Sequence, residues 1–108
     1  LGASRTDLYT EAQVRLAALS KVMGHPARIA ILNFLQVQPS CICGDIVNEI
    51  GLAQPTISQH LRELKNIGLI KGSIEGTKIC YCIDYKVLQQ FSNAINKMIK
   101  LKPYKICK

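Results

Sequence analysis

Two short segments with helical apolar spacing, residues 45–50 and 54–67, stand three residues apart, with Gly51 after the first and Gly68 after the second. That gap has room for a tight turn around Gly51-Leu52-Ala53 and little else, so this stretch reads as a helix-turn-helix. Pro55 fits the first turn of the second helix. Stepping about 100° per residue along that helix, Ile57, Leu61 and Leu64 share one face, the expected core. Ser58, Gln59, Arg62 and Asn66 share the opposite face. It lacks large apolar groups and carries the amide, hydroxyl and guanidinium groups that read base edges. Recognition helices read mainly through their N-terminal half, so Gln54, Thr56, Ser58 and Gln59 are the expected base contacts. Arg62 suits guanine or a phosphate, and Lys65 completes the DNA-contacting set on this helix. His60 lies on the flank of the core face and is expected to pack there.

The rest of the chain supplies a frame for this unit. Leu8, Ala12, Leu16, Leu19 and Met23 predict a helix over 6–23, stopped by Gly24. Pro26 opens a second helix, continued by Ile29, Leu32 and Leu35 to about residue 36. After the helix-turn-helix come two strands, about 69–74 and 77–83, joined by Glu75-Gly76, a link suited to a tight hairpin. This hairpin is a plausible wing whose Lys71 and Lys78 reach flanking phosphates, contacts that position without specifying sequence. A last helix over 85–102 carries the stripe Leu88, Phe91, Ile95 and Met98, and Pro103 ends it. The expected fold is mainly α with a small β-wing: a winged helix-turn-helix of five helices and a hairpin, with a third short strand at 41–43. At 108 residues it is one domain, residues 1–108.

The net charge of +7 favours a polyanionic partner. Its distribution is uneven. Six lysines and no acid follow Tyr85, so the first 85 residues carry only +1. No apolar run suits a membrane span and no secretion signal is evident, which favours a cytoplasmic protein. No glycine-rich phosphate loop, paired catalytic carboxylates or nucleophile–base set is present, and the thioredoxin-like Cys-x-x-Cys arrangement is missing, so no enzyme is expected. A structural zinc domain for protein contacts is the competing non-enzymatic class.

Residues 18–35 (ALSKVMGHPARIAILNFL), 54–70 (QPTISQHLRELKNIGLI) and 75–83 (EGTKICYCI) resemble the ArsR/SmtB family of winged-helix repressors, and the likeness extends over about residues 15–85. The resemblance implies a homodimer that binds double-stranded operator DNA. It implies release when a metal ion, a metalloid or an oxidant reaches cysteine or histidine ligands, and a dimer interface built from the first and last helices.

The chain departs from the family at its cysteines. Many metal-sensing members carry Cys-Val-Cys-Asp-Leu at the short helix, whereas the run here is Cys41-Ile42-Cys43-Gly44-Asp45-Ile46. Aligning the aspartates puts both thiols one residue early. Other members bind zinc through acids and histidines on the last helix, and residues 85–102 contain neither. If residues 41–43 form a strand beside 78–84, alternation puts Ile42, Ile79, Tyr81 and Ile83 on one face. Cys41, Cys43, Cys80 and Cys82 then share the other. Three readings stand for these thiols. They form a thiolate site for zinc, cadmium, copper(I) or trivalent arsenic, or a redox switch that closes a cross-strand disulfide, or small packing groups. Cys107 is expected to have no structural role.

Overall fold

The computed structural model describes residues 8–43, 46–76 and 78–100, without the side chains of Cys43, Val47 and Glu75. Its elements run α1 (Glu11–Met23), α2 (Pro26–Gln36), β1 (Ile42–Cys43), α3 (Ile46–Ile50), α4 (Gln54–Ile67), β2 (Ile70–Glu75), β3 (Lys78–Ile83) and α5 (Tyr85–Met98). The five helices, the hairpin and the third strand expected from the sequence are all present.

Helix α1 starts five residues later than its apolar spacing suggests. Thr10 fixes the start with a reciprocal cap: its hydroxyl accepts from the Gln13 amide at 3.1 Å, and the Gln13 side chain accepts from the Thr10 amide at 3.0 Å. Leu8 therefore lies before the helix and is exposed. In α2 the buried face is Ile31, Leu32 and Leu35, while Ile29 is largely exposed, because α2 packs through a face displaced from the one its spacing suggests. Asp45 lies outside the described residues, and α3 runs from Ile46. Helix α4 has the expected bounds. Gly68 ends it at φ +93°, and its amide donates to the Leu64 and Lys65 carbonyls. A left-handed C-cap of this kind closes the last turn and favours glycine. Helix α5 ends at Met98 with Ile99 as its cap, short of the expected end at 102, and residues 101 and 102 lie outside the described residues.

The sheet is antiparallel throughout, in the order β1-β3-β2. Glu75 and Lys78 are partners, so the closing pair of the hairpin lies one residue later than the Glu75-Gly76 link expected. Gly76, at φ +67°, makes that turn. The core gathers Leu19, Ile31, Leu32, Leu35, Ile46, Ile57, Leu61, Leu64, Leu69, Ile70 and Ile83 between the helices and the inner side of the sheet. Tyr81 and Ile42 pack against it from the expected apolar face. Ile79 does not: it is 49% exposed, and its partner Ile74 is 79% exposed. The hairpin runs out beyond the helices there, so the alternation persists with nothing left to pack against.

Candidate DNA-binding face and cysteine cross-link

Helix α4 is anchored by its inner side. Ile57, Leu61 and Leu64 are buried as expected, and His60 joins them. Gln54, Thr56, Gln59, Arg62, Lys65 and Asn66 are exposed and Ser58 is half-buried, so the polar face points away from the core. Its side chains are tied to one another. Gln54 Nε2 donates to Ser58 Oγ at 3.0 Å, Arg62 donates to Gln59 Oε1, and Gln59 Nε2 donates to Glu63 Oε2 at 3.2 Å. Ala53, the N-cap of α4, supplies no side-chain acceptor, so the first-turn amides keep their capacity for an outside partner. With no acid in that turn, nothing there repels a phosphate.

Lys71 and Lys78 are exposed on the wing. Lys65 folds toward β2: a Cβ placed on Gly72 would meet its Nζ at 3.3 Å and Tyr81 Cε1 at 3.4 Å. The missing side chain at Gly72 thus lets a lysine from the end of α4 lie across the wing, a placement that spacing along α4 alone does not reveal.

The cysteine strands pair as expected. Ile42 partners Tyr81 and Cys43 partners Cys80. One step on, Cys41 and Cys82 lie 4.7 Å apart at Cα and are joined by a disulfide. Cys80 is also disulfide-bonded, and it is only 1% exposed. The bond puts Cys41 and Cys82 on one side of the paired strands, and exposure among the described cysteines is uneven: Cys41 is exposed, Cys82 half-buried and Cys80 fully covered. Among the described residues no three His, Cys, Asp or Glu side chains gather as a metal site. The bonded Cys41 and Cys82 would have to be reduced before either could serve as a thiolate ligand. The cross-link closes a span of 41 residues that holds α3, α4 and the hairpin. It therefore brackets the helix-turn-helix and the hairpin together.

The histidine expected to pack does so with partners that the sequence does not reveal. Arg28 Nε donates to His60 Nδ1 at 3.0 Å, and the rings of His25 and His60 meet at 4.5 Å. Burial holds the His60 pKa below the usual 6.5, with His25 and Arg28 adding to the effect.

Residues 25–71 match the family model described as bacterial regulatory protein, arsR family. The chain is 40% identical over 75 residues to an uncharacterised helix-turn-helix transcriptional regulator of Methanocaldococcus jannaschii, covering 68% of this chain and 83% of that one. It is 31% identical over 88 residues to a homologue of the cadmium resistance transcriptional regulatory protein CadC of Staphylococcus aureus, covering 81% and 72%. A crystal structure of an ArsR family transcriptional regulator superposes with a TM-score of 0.71 at 17% identity, covering 87% of this chain and 96% of that one.

Proposed function

Since the chain belongs to the ArsR family of transcriptional regulators, we propose that it is an operator-binding repressor whose grip on DNA is set by its cross-strand cysteines. Helix α4 enters the major groove with Gln54, Thr56, Ser58, Gln59 and Arg62 toward the bases, while Lys65, Lys71 and Lys78 take phosphates. A second copy completes the molecule. Leu88, Phe91 and Ile95 of α5 are only half-covered, and Met98 is 61% exposed. An apolar stripe of this kind is covered when two copies pair through α1 and α5. Such a homodimer presents two α4 helices about 34 Å apart to successive major grooves.

The Cys41–Cys82 bond carries the sensing half of this reading. It joins the strand that leads into the helix-turn-helix to the base of the wing. Its formation removes two protons and two electrons from the thiols, accepted by a small disulfide that leaves as two thiols. Closing or opening the bond shifts the wing against α4, and a coupling of a few kcal/mol empties an operator. A second reading rests on the likeness to the cadmium-resistance regulator and on thiolate chemistry. With the bonds reduced, Cys41, Cys43, Cys80 and Cys82 are a soft donor set for zinc, cadmium, copper(I) or trivalent arsenic.

The test uses a duplex enriched from a random-sequence pool by the reduced protein. Oxidation with glutathione disulfide is expected to weaken binding at least tenfold, and Cys82→Ser to abolish that response while leaving binding by the reduced form. Release by cadmium with no response to the disulfide selects the second reading. Tight binding under every condition removes the sensing claim, and no salt-dependent binding at all removes the repressor.

A further inference from the structure

We propose that Arg28 and His60, with His25 against them, form a proton-sensitive latch that sets the recognition helix on its scaffold, so that sequence reading requires an uncharged His60. The inference rests on α4 being the helix that reads DNA.

One guanidinium links three helices. Arg28 sits on α2, its Nη1 donates to the Val22 carbonyl in the last turn of α1 at 3.1 Å, and its Nε donates to His60 Nδ1 on α4 at 3.0 Å. His25 caps α2, its Nδ1 accepting from the Ala27 amide at 3.0 Å, and its ring lies 4.5 Å from that of His60, inclined at 51°. His60 directly follows Gln59 in the chain and is 7% exposed. Ser58, Gln59 and Arg62 flank this ring on the same helix.

The bond is conditional on charge. An imidazole nitrogen accepts only when unprotonated, so Nδ1 must be bare and the proton must sit on Nε2. A second proton turns acceptor into donor and sets a cation against the guanidinium. The neighbouring guanidinium and imidazole oppose that proton. Arg28 and His25 face His60 from α2 and its cap. Lys21 of α1 and Glu63 of α4 line the same groove as Arg28 and His25. Glu63, the one anion among them, accepts from Gln59. Burial adds to the cost and lowers the His60 pKa from 6.5. The sign follows: the unfolded chain takes up this proton more readily than the folded one. The stabilisation is complete above 6.5 and is lost as pH falls through the lowered folded-state value. Over that window the latch opens and α4 loses its fixed setting.

The experiment measures the ratio of affinity for the enriched duplex to affinity for random duplex, at constant salt, from pH 7.5 to 5.0. The ratio cancels the general gain in phosphate attraction that protonation brings. For the unaltered protein it is expected to fall at least about fivefold across that range. Arg28→Met should lower it about tenfold at pH 7.5 and flatten the profile. His60→Asn puts an amide oxygen near the Nδ1 position, where it accepts from Arg28 and cannot titrate. It should keep the ratio within about threefold at pH 7.5 and hold it level to pH 5.0. Thermal melts by circular dichroism check folding, and if Arg28→Met does not fold, the His60→Asn profile decides. A His60→Asn profile that parallels the unaltered protein, or full discrimination by folded Arg28→Met, overturns the latch. Failure of the unaltered protein to prefer any duplex at pH 7.5 overturns instead the assignment of α4 as the reading helix.

Discussion

Helices α4 and α5 are both 14 residues long, and both are apolar on one side and polar on the other. Their fates differ. Helix α4 buries Ile57, His60, Leu61 and Leu64, whereas no residue of α5 is fully buried. The difference lies in what surrounds them. Helix α4 packs against α1, α2, α3 and β2, while α5 lies mainly along α1. An amphipathic pattern specifies that a face will be covered, and only the surroundings specify by what. In α4 the cover is the chain's own core, which leaves the opposite, polar face exposed. In α5 the apolar face is left half-covered by the chain itself.

Several measurements bear on that contrast. The largest effect is expected from reducing the Cys41–Cys82 bond, which encloses α4 but not α5. The loop constraint is worth at most about 4 kcal/mol. Hydrogen exchange after reduction should speed in α4 and the wing well before α5, and equal acceleration in both helices would erase the distinction. Next, Leu64→Ala, at a fully buried site, should cost about 3 kcal/mol in urea unfolding. Ile95→Ala on α5, measured at concentrations low enough to keep the protein monomeric, should cost under about 1 kcal/mol because that side chain is only half-covered. Arg62→Ala should weaken binding to the enriched duplex by about 1–3 kcal/mol if Arg62 reads a base, and should lower the salt slope by about one if it grips a phosphate. The smallest change in monomer stability, within about 0.5 kcal/mol, is expected for Met98→Ala. The same substitution should raise the dimer dissociation constant about tenfold in sedimentation equilibrium. Unchanged self-association would show that the exposed end of α5 is not the interface.

The helix-turn-helix was legible because local signals agreed: glycines after both helices, Pro55 in the first turn, and helical spacing in between. The strand at 41–43 was legible for a different reason. Two Cys-x-Cys runs with interleaved Ile and Tyr can align their sulfurs only by pairing, and β1 and β3 do pair in that register. The errors fell where a pattern continues past its support. The periodicity of Leu8 fits α1, but the Thr10 cap overrides it. Ile79 keeps its place in the alternation beyond the edge of the core, where no helix covers it.

By itself, the order of residues determined the elements, the wing and the polar face of α4, because these depend on periodicity and capping within a few residues. Tertiary structure decided that Arg28, 32 positions before His60, would hold that ring, and that Lys65 would lie over Gly72. Each of these brings together side chains from different elements. Such contacts depend on how helices and strands cross in space, and no local spacing encodes that crossing.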